Sequence, residues 1–277
     1  MNQHDKGTRF RALHDGPGFF LIGNAWDAGS AKMLDALGYP ALATSSGAQA
    51  GVLGRVDGQV TRTEALAHAK TIVEATDLPV SADLEKGFGD SAQDAARTIE
   101  LAAWVGLVGG SIEDATGDAS YPLFDPAHAA ARIAAAAAVV KTLKFPFVLT
   151  ARTENYLRGN PDLDDTIRRL KLFEDAGADV LMAPGLPDLD AVRAVCAAVS
   201  KPVNFMAGIK GKSFTTRELA DAGVKRISLA TSLFRAAMTG AMNAAAEAHH
   251  KGSFAYLDET MPTPEWNRMM AGPGTHD

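Results

Sequence analysis

Eight short apolar runs, rich in Val, Ile, Leu and Phe, alternate along the chain with longer amphipathic stretches. This alternation is typical of repeated strand–helix units around a parallel sheet. The number and spacing of the runs favour a closed barrel, and the length of 277 residues suits a single (β/α)8 barrel, which takes roughly 250 residues. We therefore predict one α/β domain of the TIM-barrel class over residues 1–277. The predicted strands cover residues 19–25, 41–46, 80–84, 110–114, 147–153, 179–183, 203–207 and 226–231.

Helix-starting signals stand between these runs. Three pairs place a hydroxyl at a helix cap and a carboxylate three residues later, which is the pattern of a capping box. The pairs are Thr61 with Glu64, Ser91 with Asp94, and Thr215 with Glu218. The Ala-rich stretch 127–138 predicts a tightly packed helix, and a long Ala-rich helix is predicted over residues 232–250.

Residues 251–277 form a predicted C-terminal tail. Five large side chains in it predict that the tail docks onto a surface. The surface of a neighbouring subunit is one alternative. The five side chains are those of Tyr256, Met261, Trp266, Met269 and Met270.

Composition excludes several classes of protein. The formal net charge is −6 and the basic residues are scattered, so a nucleic-acid partner is not expected. No run of 18 apolar residues occurs and the first ten residues are polar, so we expect no membrane association and a cytoplasmic location. The single cysteine, Cys196, lies in an apolar helical stretch and is predicted to be a packed thiol.

Acidic residues stand at the ends of the third and fourth predicted strands. Ser81 and Asp83 alternate along the third run and therefore share one side of the strand, while Glu85 follows in the loop. Glu113 lies at the end of the fourth run. Because this donor set contains only oxygen and has no His or Cys nearby in sequence, it predicts a site for Mg²⁺, with Mn²⁺ possible.

The fifth run ends at Arg152, whose guanidinium is placed to clamp a carboxylate or to stabilise an enolate oxygen. A structural ion pair is the alternative role for this arginine. The acids have a similar alternative, in which Lys86, Arg152 or Arg55 pairs with them and holds the barrel mouth together. After the second run, the turn 45–48 offers hydroxyls and consecutive backbone N–H groups that suit a carboxylate or a phosphonate.

Taken in order over residues 18–250, these motifs resemble those of the isocitrate lyase and phosphoenolpyruvate mutase superfamily. The resemblance implies a barrel with a C-terminal helix exchanged between subunits, dimers that pair into tetramers, and Mg²⁺ held largely through waters. It also implies cleavage or formation of a C–C or P–C bond next to a 2-oxo acid. The matching stretches are Asn24-Ala25-Trp26-Asp27, Thr44-Ser45-Ser46-Gly47, Gly54-Arg55-Val56-Asp57-Gly58, Ala82-Asp83, Ser111-Ile112-Glu113-Asp114 and Ala151-Arg152-Thr153-Glu154.

The resemblance also implies residue roles. The metal would polarise the 2-oxo group, so that bond breaking yields a stabilised enolate. The substrate carboxylate would be bound by Ser45, Ser46 and Gly47. The metal would be surrounded by Asp57, Asp83 and Glu113, and Asp57 is counted among the catalytic residues. The oxyanion would be stabilised by Arg152. The predicted substrate-binding set is completed by Trp26, Glu154 and Asn204.

The sequence departs from the family pattern on the third strand. Many relatives carry two aspartates that flank one residue there, whereas this chain has Ser81 in the first position. The following turn, 84–89, is longer, so Glu85 is predicted to supply the missing charge. The predicted metal ligands are therefore Asp83, Glu85 and Glu113.

A second departure lies in the loop 115–126, which follows the fourth strand. Lyase members carry a Lys-Lys-Cys-Gly-His motif there, and this loop has no Cys, His or Lys. The departure argues against isocitrate or methylisocitrate cleavage, because no thiol is present to exchange the proton. Thr116, Asp118 and Tyr121 are the loop groups left for proton work, and Thr116 and Tyr121 are the predicted catalytic pair.

The sequence thus predicts a Mg²⁺-dependent enzyme that acts on a small 2-oxo acid as a homodimer or homotetramer. Decarboxylation of an oxaloacetate-like acid or hydrolysis of a phosphonopyruvate-like P–C bond fits the remaining groups. One alternative is a non-catalytic binder of 2-oxo acids. Another is a retro-aldol lyase for a malate-type or citrate-type acid, with Tyr121 or Asp118 in place of the missing cysteine.

Overall fold

The computed structural model describes residues 1–212 and 214–272. Its eight strands are all parallel and pair in chain order, and the last strand closes onto the first. The strands are β1 (Phe20–Asn24), β2 (Leu42–Ala43), β3 (Val80–Asp83), β4 (Gly109–Glu113), β5 (Val148–Arg152), β6 (Val180–Met182), β7 (Val203–Met206) and β8 (Arg226–Ser228). Each strand lies within its predicted run or begins one residue before it, so the prediction of a (β/α)8 barrel is confirmed.

Helices follow the strands and form the outer layer. They are α1 (Gln3–Asp15), α2 (Ala28–Ala36), α3 (Ser46–Val52), α4 (Arg62–Ala75), α5 (Ala92–Trp104), α6 (Pro126–Val140), α7 (Leu163–Asp175), α8 (Leu189–Ala198), α9 (Thr216–Asp221), α10 (Ser232–Lys251) and α11 (Thr263–Ala271), with 3₁₀ turns at Asn155–Leu157 and Ala255–Asp258. All three predicted capping boxes are confirmed, at the starts of α4, α5 and α9. Each box satisfies backbone N–H groups that the helix itself leaves without partners.

Helix α1 closes the amino-terminal end of the barrel. Its Phe10 is fully buried against Phe20, Val148 and Val180, the first residues of three strands. A Cβ atom at Gly7 would lie 2.2 Å from the carbonyl oxygen of Pro146, so the helix can approach the barrel this closely only with glycine. The closed lower end leaves the carboxyl end of the barrel as the open one.

A second apolar core lies between the strands and the outer helices. Cys196 packs at its edge, and a Cβ atom at Gly223 would lie 3.0 Å from the cysteine Cβ. Burial raises the pKa of the Cys196 thiol to about 11. The prediction of a packed thiol is therefore confirmed.

The C-terminal helices differ in their contacts. None of the residues of α10 is buried. Helix α11 packs against α2, where the Trp266 ring lies 3.6 Å from the position a Cβ would take on Gly29 and Lys32 Nζ donates to the Met270 carbonyl oxygen at 2.5 Å. The tail docks onto a surface as predicted, and this surface belongs to its own chain. Residues 273–277 of the predicted tail lie outside the described residues.

No helix in the described ranges is both long enough and apolar enough to cross a membrane.

Candidate active site

A pocket extends from the carboxyl ends of the strands into the barrel interior. Its empty volume is about 480 Å³, a figure that includes space open to solvent. Four predicted site residues line it: Ser45, Asp83, Arg152 and Asn204. The other polar residues of its wall are Asn24, Thr44, Ser81, Ser111, Arg226 and Ser228.

Asp83 is the last residue of β3 and is held by backbone donors. Its Oδ2 accepts from the Ser46 N–H at 3.2 Å and its Oδ1 from the Glu85 N–H at 3.3 Å. Its own N–H donates to Thr44 Oγ1 at 3.0 Å, which ties β3 to the end of β2. Ser81 and Asp83 both face the pocket, as the alternation of the strand predicts.

The predicted carboxylate-binding turn is the first turn of helix α3. Ser45 caps this helix by accepting from the Ala48 N–H at 3.5 Å. Because the Ser46 N–H already donates to Asp83, this part of the turn positions the acid instead of standing free for a substrate. Asp57 also lies beside the turn, since a Cβ atom at Gly47 would be 3.3 Å from Asp57 Oδ2.

Arg152 and Glu113 are half-buried and form an ion-pair network with two residues of the β5 loop, the buried Glu154 and the exposed Arg158. Arg152 Nε lies 2.5 Å from Glu154 Oε1 and 3.4 Å from Glu113 Oε2. Arg158 joins the same two acids, with Nη2 3.7 Å from Glu113 Oε1 and Nε 3.3 Å from Glu154 Oε2. The structural ion pair considered for Arg152 is therefore present, and the guanidinium still lines the pocket.

Of the other two cations considered as partners for the acids, neither pairs with the cluster. Arg55 Nη1 pairs with Glu64 at 2.8 Å, and Lys86 Nζ pairs with Asp90 at 2.6 Å. Lys86 Nζ also donates to the Thr116 carbonyl oxygen at 2.5 Å and so attaches the β4 loop to the turn after β3.

Glu85 lies just beyond β3 in the left-handed region, with φ of 49°. Such a backbone conformation is uncommon outside glycine, and it turns the side chain out of the strand alternation. Burial raises the pKa of Glu85 to about 7, and the negative charges of Asp83 and Asp57 add to the shift. The three acids are therefore close enough to repel one another.

The pKa of Glu113 is raised as well. Burial raises its pKa, and Glu154 and Asp83 raise it further, although Arg152 acts in the opposite direction. Burial alone would lower the pKa of Arg152, but the carboxylates of Glu154, Glu113 and Asp83 together raise it. The guanidinium is therefore a permanent cation. Arg158 is a second cation beside Glu113 and Glu154, whereas Asp83 has no ion-pair partner in the described residues.

The donor chemistry of this mouth fits a hard divalent cation. Its ligands would be carboxylate oxygens. Burial is the main cause of the raised pKa values of Glu85 and Glu113, and neighbouring acids add a smaller repulsion that a cation would relieve. In the part of the chain that the structure describes, no three His, Cys, Asp or Glu side chains are placed to coordinate an ion directly. The predicted set of Asp83, Glu85 and Glu113 is thus not assembled as three direct ligands in the described residues. Their oxygen donors are the type that Mg²⁺ prefers, and Mg²⁺ in proteins usually keeps several waters.

Other predicted residues lie outside the pocket wall. The Trp26 ring packs edge-on against Phe234, with centroids 5.8 Å apart, and its carbonyl oxygen lies 2.7 Å from His68 Nε2. Thr116 Oγ1 donates to the Tyr121 carbonyl oxygen at 2.5 Å, and the Tyr121 side of the loop faces solvent, with 60% of that residue exposed. The loop conformation does not bring the Thr116 and Tyr121 side chains to the pocket.

Several residues that support the site were not predicted. Arg132 is buried over the Phe124 ring, 4.5 Å from its centroid, and donates to the carbonyl oxygens of Glu113 at 3.1 Å, Gly89 at 3.0 Å and Lys86. It therefore joins the end of β4 to the turn that carries Glu85. The sequence holds no signal for this contact, because the partners are backbone atoms from other elements.

Arg226 was also not predicted, although a signal for it was present. It is the first residue of β8, where an arginine begins a run of mostly apolar residues. It is 5% exposed and lines the interior part of the pocket. A charged residue inside a buried parallel strand has no packing reason to be there.

A closed barrel with an acidic cluster and a buried arginine around a pocket at the strand carboxyl ends has the architecture of a (β/α)8 enzyme. The family model described as phosphoenolpyruvate phosphomutase matches residues 10–249. The chain belongs to this family and thus to the isocitrate lyase and phosphoenolpyruvate mutase superfamily, which confirms the resemblance seen in the sequence.

Individual relatives have several different names. A solved structure of a proposed lyase/mutase from Burkholderia cenocepacia J2315 is 48% identical, covers 98% of this chain and 97% of its own, and superposes with a TM-score of 0.96. The 2-methylisocitrate lyase of Escherichia coli K12 is 31% identical over 89% of this chain and 84% of its own. The oxaloacetate decarboxylase of Bradyrhizobium diazoefficiens is 30% identical over 73% of this chain and 71% of its own. The relatives' names thus include lyases and a decarboxylase.

Proposed function

We propose that this protein is a Mg²⁺-dependent enzyme that cleaves a C–C or P–C bond next to a 2-oxo acid and stabilises the resulting enolate, with decarboxylation of an oxaloacetate-like acid as its reaction. The observation that carries the proposal is the position of Arg152 in the pocket wall together with Asp83, since neither Asp83 nor Glu85 forms an ion pair within residues 1–212 and 214–272. This arrangement combines a fixed hydrogen-bond donor for an oxyanion with a place for a cation.

The residues have separate tasks in this scheme. Asp83, Glu85 and Glu113 would hold the ion, which when bound supplies a Lewis acid that polarises the 2-oxo group. Arg152 donates toward the oxygen that gains negative charge as the bond breaks. Its ion pair with Glu154 fixes the guanidinium before the substrate arrives, so little reorganisation is required during the reaction.

Decarboxylation does not require the acid/base side chains that are missing from the loop 115–126. When the C3–C4 bond of a 2-oxo-4-carboxy acid breaks, its electrons move onto the 2-oxo oxygen, CO₂ leaves, and the enolate later takes a proton at C3. No general base has to remove a proton first, so a loop of residues 115–126 without Cys, His or Lys is compatible with the reaction. The similarity to a protein named oxaloacetate decarboxylase supports the same choice.

The direct test measures pyruvate release from oxaloacetate by the purified protein with Mg²⁺, against Mg²⁺ in buffer, because the ion alone promotes this reaction. Phosphonopyruvate is assayed in parallel for phosphate release, which would identify P–C hydrolysis instead. We expect turnover above the buffer rate and a loss of roughly 100-fold or more in Arg152→Lys, since one oxyanion donor contributes about 10²–10³ in rate.

Matched surface variants separate site effects from general effects. Arg193→Lys and Glu74→Gln change exposed side chains of the same types and should leave the rate unchanged. Asp83→Asn should abolish the Mg²⁺ dependence. If the wild-type protein were no faster than Mg²⁺ in buffer with either substrate, while binding both, the protein would be a 2-oxo acid binder and the proposed function would be wrong.

We propose further that the protein assembles through α10. This helix of 20 residues has none of them buried in the single chain, and Met238 and Met242 on it are exposed. A helix exchanged between two subunits would cover these side chains and yield a homodimer or homotetramer. Light scattering after gel filtration measures the mass, and a monomer of 29.0 kDa at micromolar concentration would contradict the proposal.

A further inference from the structure

Arg226 carries a positive charge into the barrel interior, and neutral side chains hold it in place. Its Nε donates to Asn204 Oδ1 at 2.8 Å and its Nη2 to Thr150 Oγ1 at 2.9 Å. Asn204 is fixed in turn, because its Nδ2 donates to Ser228 Oγ at 3.0 Å. The guanidinium is therefore oriented from strands β5, β7 and β8 together.

The third partner, His14, is a neutral imidazole. Its Nδ1 lies 2.8 Å from the Phe10 carbonyl oxygen, and since a carbonyl only accepts, Nδ1 carries the proton. Nε2 is then an acceptor, 3.3 Å from Arg226 Nη1. Burial, followed by the charge of Arg226, lowers the pKa of His14 to about 3. His14 therefore accepts from Arg226 without supplying a negative charge.

Within residues 1–212 and 214–272, no carboxylate pairs with Arg226, and burial alone lowers its pKa, to about 9. Arg152 and Arg169 are different, since Arg152 pairs with Glu113 and Glu154, and Arg169 with Asp114. Arg132 has no carboxylate partner either, but it donates to three backbone carbonyl oxygens and is not part of the pocket wall. A guanidinium has five N–H donors, and the partners named above occupy three. A fixed cation with spare donors is thus present in the pocket wall.

Charge is distributed unevenly along this pocket. Asp83, at the carboxyl end of β3, is the acid of the pocket wall, and Glu85 and Glu113 lie near it but outside the wall. Ser81 and Ser228 offer neutral hydroxyls around the part that Arg226 lines. An anionic group that enters is repelled by the mouth and attracted by the interior. A buried, unpaired charge is unfavourable for folding, and a bound anion would offset that cost.

We propose that Arg226 binds the carboxylate that the substrate keeps, so that the 2-oxo acid group points into the barrel and the leaving group faces the mouth. This inference rests on the proposed function only for the class of ligand, a 2-oxo acid. Arg226 is on this account a substrate-binding residue that determines specificity for an acid over its neutral analogue. The N–H groups it does not use in the protein are the donors for the carboxylate.

The test is binding of pyruvate and of its neutral analogue pyruvamide, measured by calorimetry with and without Mg²⁺. Asn204→Asp is the main variant, because it keeps the side-chain volume and the acceptor for Arg226 Nε while placing a carboxylate beside the guanidinium. We expect this variant to be at least as stable as wild type and to bind pyruvate about 10- to 100-fold more weakly, the loss typical of one or two charged hydrogen bonds. Its affinity for pyruvamide should change by less than about threefold.

Two further variants complete the design. Arg226→Gln should lose the preference for pyruvate over pyruvamide, provided that its thermal unfolding shows a folded protein, and Arg226→Lys should keep part of it. Arg193→Gln is the matched control, since this exposed arginine pairs with Asp190 and lies outside the pocket wall, and it should keep the full preference.

Three results would overturn the inference: wild type that binds neither ligand, wild type without preference for pyruvate, or Asn204→Asp that is stabilised but binds pyruvate as wild type does. The last result would assign Arg226 to the packing of the barrel interior alone. A wild-type protein that prefers pyruvate and yet turns over no 2-oxo acid would support the inference and refute the proposed function, so the two failures are distinguishable.

Discussion

Replacing Asp114 with alanine should destabilise the protein substantially, because this carboxylate anchors the chain segment that follows β5. Asp114 is 1% exposed. Its Oδ1 accepts from the Glu154 N–H at 2.8 Å, and its Oδ2 accepts from Thr153 Oγ1 at 2.9 Å and from Arg169 Nη1 at 3.1 Å. Arg152 and Glu154 are therefore positioned in part from behind the strand, by a residue that does not touch the pocket.

The magnitude follows from what each partner retains. Breaking a buried ion pair from one side costs about 3–5 kcal/mol. Arg169 keeps Asp165 at 2.8 Å and Thr153 keeps Asn155 at 2.5 Å, while the buried Glu154 N–H loses its acceptor. Burial also raises the pKa of Asp114, so removing the acid recovers part of its desolvation. We therefore expect the low end of the range, about 3 kcal/mol.

Urea unfolding followed by circular dichroism measures this loss, provided that the slope of the unfolding free energy with urea is unchanged. Asp190→Ala is the control, since its pair with Arg193 is shorter, at 2.6 Å against 3.1 Å, but the aspartate side chain is 92% exposed. This control should lose at most about 1 kcal/mol. If Asp114→Ala and Asp190→Ala lost similar amounts, the assignment of Asp114 as a buried anchor would be wrong.

Two other predictions concern titration and reactivity. Because the folded protein raises the pKa of Glu85 to about 7 from its ordinary value of 4.5, the ion-free folded state binds more protons than the unfolded state between these pH values. Protonated Glu85 therefore stabilises the folded state fully below about pH 4.5, and this contribution is lost as pH rises through about 7. Unfolding free energies should accordingly fall across this window, and the fall should be less steep in Glu85→Gln or with saturating Mg²⁺. An equal slope in all three samples would contradict the assignment. Cys196, whose pKa is raised to about 11 by burial, should react with iodoacetamide at pH 8 far more slowly in the native than in the urea-unfolded protein, and equal rates would show that the thiol is not packed.

The barrel itself was predictable because its strands are buried on both sides and therefore read as continuous apolar runs. The boundaries were less so, as the second strand shows. The apolar and polar residues of 41–46 read as one run, but Ser45 caps α3, so β2 ends at Ala43. Whether Ser45 extends the strand or caps a helix depends on the helix that follows. The apolar pattern of residues 41–46 alone does not show that helix.

The features of the site likewise divide into those that the local sequence predicts and those that depend on the fold. The orientation of Ser81 and Asp83 follows from strand alternation, which is a local property. The partners of Arg152 and the conformation of Glu85 depend on elements distant in sequence or on a backbone φ above zero, and neither leaves a periodic signal. The prediction that Tyr121 serves the pocket relied on its loop alone, and the fold leaves that residue mostly exposed.

The distribution of charge connects the metal site with Arg226 and predicts that their ligands bind cooperatively. Asp83 ends β3 and Arg226 begins β8, so the barrel keeps the acids and the interior guanidinium from pairing with each other. A 2-oxo acid bound to an ion at the mouth would offset both unpaired charges at once. Mg²⁺ should therefore bind more tightly in the presence of pyruvate, and pyruvate more tightly by the same factor in the presence of Mg²⁺, because such coupling is reciprocal. Calorimetric titrations in both orders measure the factor, and Asn204→Asp should reduce it, since that variant already neutralises Arg226. Independent binding of the two ligands in wild type would show that the mouth and the interior do not form one site.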